Sequence, residues 1–196
     1  MKKIFIYGGF LAAFMFVLAS YGAGRQAAAD GPQFTTDGQL KFPENYREWI
    51  FLSSGLGMTY GPLAAETHDQ NPPFDNVFAG RAAYTSFLAS GHWPDKTVLI
   101  LEVRASRSKG SINQGGHFQT EPLAVEAHVK DEKRFPGKWA FFGFSKASGT
   151  AKQIPTSADC YSCHAKSGAV DTTFVQFYPT LLKAATDSGT LKLRAE

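Results

Sequence analysis

The spacing of apolar and polar residues predicts strands in the middle of the chain and helices nearer its ends. Residues 97–103 form a short, β-branched run that is apolar on both faces, as buried strands are. Residues 123–130 instead alternate, which is typical of a strand with two different faces. One face carries Val125, Ala127 and Val129, and the other carries Ala124, Glu126 and His128.

Three further segments are predicted to be strands: residues 50–54, 77–78 and 138–146. Residues 43–49 begin with a proline, which a helix tolerates in its first turn, and predict a short helix. Residues 81–90 carry apolar side chains at helical spacing, and Gly91 is expected to end that helix.

Two helices are predicted near the C-terminus. Thr156 or Ser157 can cap a helix that contains both cysteines, and Asp171 can cap a last helix. Pro179 within that last segment predicts a kink or an early end. We therefore expect residues 30–196 to form one α+β domain, mainly an antiparallel β-sheet with a few helices, in which a C-terminal helix carries the cysteines.

Residues 1–29 have the features of an export signal. Lys2 and Lys3 precede an almost wholly apolar stretch, and three alanines at residues 27–29 offer a cleavage site. A membrane anchor is the alternative, and it needs about 20 apolar residues. We expect a cleaved signal peptide and a periplasmic protein.

Removal of this segment changes what the net charge implies. The whole chain has a formal net charge of +3 and a pI of about 8.8. Without Lys2, Lys3 and Arg25, residues 30–196 contain 17 basic and 17 acidic residues. This balance gives no reason to expect nucleic acid or an anionic membrane as a partner.

The chain has two cysteines, and they stand in the motif Cys160-Tyr161-Ser162-Cys163-His164. A histidine directly after a Cys-x-x-Cys pair is the arrangement of c-type haem attachment. Two thiols one helical turn apart can each bond one vinyl group of a porphyrin, and the adjacent imidazole can then bind the iron.

Three alternatives compete with haem attachment. A redox-active disulfide usually follows a strand early in a βαβ unit, whereas Cys160 and Cys163 occur late in the chain. A structural zinc ion would require a second paired cluster of ligands, which the sequence lacks. A chance occurrence is disfavoured by the export signal.

The residues that could fill the sixth position of the iron are few. Met58 is the single methionine of residues 30–196, and it stands in a predicted loop. The other candidates are scattered histidines: His68, His92, His117 and His128. An electron-transfer cytochrome normally uses methionine or histidine here. Because no methionine follows His164, we expect an open or water-bound position.

Six stretches agree in order and spacing with one known family. They are residues 42–49 (FPENYREW), 91–97 (GHWPDKT), 125–131 (VEAHVKD) with Arg134-Phe135, 139–142 (WAFF), 160–164 (CYSCH) and 177–179 (FYP). Through these stretches the chain resembles the cytochrome P-460 family, which includes the cytochromes c′-β.

The resemblance implies a mainly antiparallel β fold that holds one penta-coordinate haem c. Cys160 and Cys163 would hold the porphyrin, and His164 would bind the iron. The distal pocket would accept small nitrogen compounds such as nitric oxide or hydroxylamine. A homodimer is expected from the resemblance alone.

Four further residues are assigned to the haem pocket by the resemblance. Hydroxylamine-oxidising members join a lysine covalently to the haem, and the matching position here is Leu101. Glu126 matches a carboxylate that could accept a proton from hydroxylamine; a solvent-facing strand residue is the alternative. Phe51 and Phe78 are candidates for a hydrophobic distal cap, with ordinary core packing as the alternative.

We therefore expect a monohaem cytochrome that binds nitric oxide or related nitrogen species, with weak redox chemistry on hydroxylamine as an extension. Two alternatives stay open. One is a hydroxylamine-oxidising enzyme, which the replacement of lysine by Leu101 disfavours. The other is a six-coordinate electron-transfer cytochrome with Met58 as ligand. A periplasmic electron-transfer protein is the expected macromolecular partner.

Overall fold

A computed structural model describes residues 30–59, 70–145 and 149–192. The predicted signal peptide, residues 1–29, and the candidate ligand His68 lie outside these ranges. Within the ranges, no helix is long and apolar enough to cross a membrane.

The strands form one large and one small antiparallel sheet. The strands are β1 (Leu40–Lys41), β2 (Ile50–Leu56), β3 (Phe74–Ala79), β4 (Val98–Arg107), β5 (Phe118–Lys130), β6 (Trp139–Phe144) and β7 (Thr150–Ala151). The large sheet has the order β2-β3-β4-β5-β6, and the small sheet pairs β1 with β7.

Helices cover part of this sheet. The described residues contain three α-helices, α1 (Arg81–Ser90), α2 (Asp159–Ser167) and α3 (Pro179–Asp187), and 3-10 turns at Tyr46–Glu48 and Val175–Phe177. The predicted α+β class with a mainly antiparallel sheet is confirmed. So is the end of α1 at Gly91, whose φ of 70° is left-handed.

Successive side chains of a strand point to opposite sides, so the large sheet has two different faces. The packed face contains Ile100, Ala127 and Phe142, which pair across β4, β5 and β6 and lie in one buried apolar cluster. The helix face contains Leu99 and carries α1 and α3 through a second cluster. The alternation predicted for β5 is confirmed for its buried face, since Val125, Ala127 and Val129 all lie in the first cluster.

The C-terminal helices begin at other residues than predicted. Helix α2 begins at Asp159 after Ala158, with no side-chain cap from Thr156 or Ser157. Both cysteines lie in this helix, as predicted, and α3 follows it as the last helix of the described residues. Pro179 begins α3 rather than ending a helix, since a first-turn proline loses no hydrogen bond.

Asp171 does not cap a helix either. It lies in a tight turn whose flanking residues, Val170 and Thr173, form a β-bridge. Its φ of 51° is left-handed, a conformation that aspartate tolerates better than most residues.

A buried carboxylate joins the first 3-10 turn to the large sheet. Glu102 on β4 is 3% exposed and accepts hydrogen bonds from the Tyr46 hydroxyl, from Arg47 Nη2 at 2.7 Å and from Arg104 Nη1 at 3.0 Å. Burial alone would raise the pKa of Glu102, but these three donors outweigh it and lower the pKa. Burial, and next the hydrogen bond to Glu102, raise the pKa of Tyr46 to about 12.

The substitution Glu102→Gln should lower the free energy of unfolding by about 1–3 kcal/mol, because it leaves buried donors without an ionised acceptor. The folded carboxyl has a lowered pKa, so its stabilisation is present above the ordinary value of 4.5 and is lost as the pH falls below it. Denaturant unfolding at pH 7 and pH 3 measures both effects. Glu48→Gln, at an exposed residue of the same turn, is the control; equal stability of the two variants at pH 7 would contradict the prediction.

Candidate functional site

A cavity of about 580 Å³ lies between the helix face of the large sheet and helix α2. This volume is in the range of ligand and cofactor cavities, ~300–1,000 Å³. The described residues that line it are Ser53, Gly55, Met58, Asp75, Val77, Leu99, Ile100, Leu101, Glu126, Ala127, His128, Phe141, Asp159, Cys160, Ser162, Cys163, His164, Thr173, Phe174, Phe177 and Tyr178. The cavity therefore brings the haem-attachment motif against the sheet.

Strand pairing gives the cavity two ends. His128 pairs with Phe141, and both rings contact His164, with centroids 5.0 and 4.6 Å away. We call this the proximal end. Leu101 on β4 pairs with Glu126 on β5, two residues away from His128 and on the same face of the sheet.

The distal end begins at that Leu101–Glu126 pair and continues along the strands. Asp75, which pairs with Gly55 on β2, lies one pleat beyond it. The thioether of Met58 packs against Gly55, in space that a larger residue there would occupy. Met58 therefore belongs to the distal end.

The imidazole of His164 is held in one orientation. Its Nδ1 lies 2.7 Å from the backbone carbonyl oxygen of Thr172. A carbonyl can only accept, so Nδ1 carries the proton and Nε2 is the nitrogen left for a metal. Burial lowers the pKa of His164, against the opposing effect of the Thr172 carbonyl, and this favours the neutral ring that metals bind.

Aromatic rings enclose this imidazole. Phe174 lies 4.3 Å from the His164 ring, and Phe141 contacts it from the sheet. His128 stacks on Phe141 at 4.0 Å and 12° and is itself fully enclosed, so burial holds its pKa well below the ordinary value. The proximal end is thus closely packed by aromatic rings and largely apolar.

The turn that supplies the Thr172 carbonyl is fixed by buried hydrogen bonds. Trp93 Nε1 donates to Thr173 Oγ1 at 2.9 Å, and that hydroxyl donates to the carbonyl of Val170 at 2.7 Å. Trp93 and Thr173 are each 1% exposed. The indole therefore holds the proximal turn from the loop before β4.

Lys130 completes this support. Its Nζ donates to the carbonyl of Trp93 at 2.7 Å and pairs with Asp171 at 3.4 Å. His128 Nε2 lies 3.2 Å from Thr172 Oγ1. Sequence reasoning gave Trp93 and Lys130 no role, although both stand in stretches that carry the family resemblance.

The attachment motif is held by its own tyrosine. The Tyr161 hydroxyl accepts a hydrogen bond from the Phe141 amide at 3.3 Å and donates to the Ile154 carbonyl at 3.0 Å. Cys160 and Cys163 lie one helical turn apart in α2, and both line the cavity. Two thiols and one imidazole facing a large, mostly apolar cavity fit the demands of a haem c.

Of the four further pocket residues expected from the resemblance, two line the cavity and two do not. Leu101 and Glu126 line the cavity with Cys160, Cys163 and His164, as a pocket role requires. Burial, and next the charge of Asp75, raise the pKa of Glu126.

Phe51 and Phe78 are not among the described lining residues. Phe78 pairs with Ile100 and therefore lies on the packed face. Its ring centroid lies 5.6 Å from that of Tyr46 and 5.7 Å from that of Phe51. The Phe51 side chain is 52% exposed. Neither ring caps the cavity in this arrangement, because the alternation of β3 directs Phe78 to the opposite face and Val77 to the cavity.

The candidates for the sixth ligand of the iron also differ in whether they line the cavity. Met58 and His128 line the cavity, whereas His92 and His117 do not. His128 lies beside His164 at the proximal end, so it cannot approach an iron from the opposite side.

A family model described as Cytochrome P460 matches residues 43–175, a range that includes the sheet, the cysteine motif and the proximal turn. The chain belongs to the cytochrome P460 family. The resemblance found in the sequence is confirmed, and with it a haem-binding cytochrome. No curated protein matches the chain. The residues of the cavity fit this cofactor, since they supply two thiols, a neutral imidazole and an apolar enclosure.

Gly168 provides a test of the proximal geometry. A methyl group at this residue would lie 2.7 Å from the His164 carbonyl oxygen and 2.8 Å from the carbonyl carbon of Thr172. Gly168→Ala should therefore push α2 and the proximal turn apart and cost about 1–3 kcal/mol of stability. Thermal unfolding and the haem absorption spectrum measure the change. Gly137→Ala, where the methyl group meets open space, should be near neutral; equal behaviour of the two variants would contradict the described packing.

Proposed function

We propose that this protein is a periplasmic, monohaem c-type cytochrome whose sixth iron position is open to nitric oxide or related small nitrogen compounds. The observation that carries the proposal is the hydrogen bond from His164 Nδ1 to Thr172. It reserves Nε2 of a neutral imidazole for iron, beside the cavity that both cysteines line. When bound, the haem iron would supply a coordination site and a one-electron redox centre.

The residues of the chain would hold and shield this group. Cys160 and Cys163 would bond the porphyrin through their Sγ atoms, and His164 would be the proximal ligand. Phe141 and Phe174 would fix the imidazole plane by packing. Leu99 and Leu101 would present an apolar wall that excludes water.

An open position is favoured by what stands at the distal end. Leu101 and Val77 contribute apolar surface, and His128 is held at the proximal end. Glu126 lines the cavity, and in this proposal it would accept a proton from hydroxylamine. Without a lysine bonded to the haem at Leu101, we expect little hydroxylamine turnover.

A second candidate function has one observation in its favour. Met58 lines the distal end and could ligate the iron, which would make the protein a six-coordinate electron carrier. This version requires a sulfur ligand, so the substitution Met58→Ala separates the two functions.

Covalent attachment predicts a defined mass change. The chain matured in a periplasm should be heavier than its polypeptide by one haem, and the haem should remain after denaturation. The variant Cys160→Ser/Cys163→Ser should lose the haem on denaturation, because a serine hydroxyl does not form the thioether bond. Ser162→Ala, within the same motif, is the control. Extractable haem in the wild-type protein would contradict attachment.

The open position predicts ligand-dependent spectra. The dithionite-reduced protein should show broad high-spin bands that shift when carbon monoxide or nitric oxide is added. Met58→Ala should have the same spectrum and ligand response as the wild-type protein, with Met58→Leu as the size-matched control. Sharp low-spin bands that ignore both gases, and that become high-spin in Met58→Ala, would establish the electron carrier instead.

A further inference from the structure

The cysteine motif contains a residue that haem attachment does not require but that reaches the sheet. Attachment of a haem c uses the two cysteines and the histidine, and it places no demand on the two residues between the cysteines. Ser162 is exposed, and its hydroxyl donates back to the Asp159 carbonyl of its own helix at 3.0 Å. Tyr161 is half-buried, and its hydroxyl bonds to β6 and to residues 153–154. Tyr161 therefore joins α2 to the edge of the large sheet.

The Tyr161 hydroxyl is inserted into the backbone pairing at that edge. Phe142 and Gln153 form an antiparallel β-bridge, so Phe141 and Ile154 are the next opposite pair. The Ile154 amide donates to the Phe141 carbonyl at 2.8 Å, and such a pair normally exchanges a second bond in return. Here the return bond passes through the hydroxyl. The Phe141 amide donates to Tyr161 Oη at 3.3 Å, and Oη donates to the Ile154 carbonyl at 3.0 Å.

Helix α2 depends on such contacts because its own packing is sparse. The helix has nine residues, and the protein itself buries none of them. An isolated helix of this length is not stable in water. Tyr161 also accepts a hydrogen bond from Gln153 Nε2 at 3.2 Å, and its ring lies edge-on to that of Phe141, with centroids 4.9 Å apart. The tyrosine thus supplies three hydrogen bonds and a ring contact between α2 and the sheet edge.

The two partners of the proximal hydrogen bond are therefore held to the same sheet by separate contacts. His164 lies on α2, three residues after Tyr161 and on the same side of the helix. Thr172 lies in the turn that Trp93 and Lys130 hold. The 2.7 Å separation of His164 Nδ1 from the Thr172 carbonyl oxygen then depends on where Tyr161 holds the helix.

We propose that Tyr161 is a positioning residue for the proximal imidazole: its hydroxyl fixes α2 to the sheet edge and thereby sets the strength of the hydrogen bond from His164 to Thr172. Tyr161 is not among the described residues that line the cavity, so it acts through the helix. The inference rests on the proposed function, because it takes His164 as the iron ligand. A hydrogen bond at Nδ1 makes the other nitrogen a stronger ligand, so a looser α2 weakens the iron–histidine bond.

The test compares Tyr161→Phe with the wild-type protein, both loaded with haem. This substitution keeps the ring that packs on Phe141 and removes only the hydroxyl. Hydrogen exchange followed by mass spectrometry measures the amides of residues 159–167. Resonance Raman spectroscopy of the reduced protein measures the iron–histidine stretching band. The control is Tyr84→Phe, which lies on α1 and outside the described cavity lining.

In Tyr161→Phe, the amides of residues 159–167 should exchange about three- to tenfold faster, which corresponds to the net contribution of one hydrogen bond. The iron–histidine band should move to lower wavenumber. Exchange in β4 should stay unchanged, which verifies that the variant is folded. Tyr84→Phe should change neither the exchange of residues 159–167 nor the band.

Two results would overturn the inference in different ways. If residues 159–167 exchange as in the wild-type protein, the hydroxyl does not hold α2. If they exchange faster but the band is unmoved, Tyr161 stabilises the helix without positioning the imidazole. A wild-type iron that is six-coordinate and shows no such band would refute the proposed open site instead. Hydrogen exchange then decides the inference, and unaltered exchange in Tyr161→Phe overturns it.

Discussion

The hydrogen bond from His164 Nδ1 to the Thr172 carbonyl connects the chemistry of this protein to its fold. It fixes the tautomer of the imidazole and directs the other nitrogen to the metal. The bond is only as rigid as the turn that presents Thr172, and that turn is held by Trp93 and Lys130 through buried hydrogen bonds. A loop before β4, the end of β5 and the segment after α2 are thus required together to position one nitrogen atom.

The two faces of the large sheet have different roles in the structure. The packed face builds the core and contains the Glu102 network, which joins the first 3-10 turn to β4. The helix face leaves a cavity where α2 approaches the sheet. Because one strand, β5, contributes Ala127 to the core and both Glu126 and His128 to the cavity, a shift in its register would exchange core and cavity residues. Stability of the packed face therefore determines where the acids and the proximal rings lie.

Much of this could be predicted from local patterns. The alternation of β5, the helix over residues 81–90 and the cysteine motif each depend on neighbouring residues, and each was found where expected.

The misplaced features depend on contacts between distant residues. Pro179 could end or begin a helix by local rules, and only the turn before it decides. Phe78, a candidate for the distal cap by resemblance, lies on the packed face because it pairs with Ile100, and Asp75 lines the cavity by the same register of β3; no local pattern reveals this register. Trp93 and Lys130 support a turn some 40 to 80 residues away in sequence, and no periodicity signals such a contact.

Resonance Raman spectroscopy of the reduced, periplasmically matured protein can show whether His164 binds an iron whose sixth position is open. We expect an iron–histidine stretching band, which a five-coordinate ferrous haem with a neutral proximal imidazole displays. We also expect Gly168→Ala to shift this band and Gly137→Ala to leave it unchanged. A spectrum that lacks the band because the iron is six-coordinate and low-spin would contradict the open position. A band that is unmoved by Gly168→Ala would contradict the control of the proximal imidazole by the Thr172 turn.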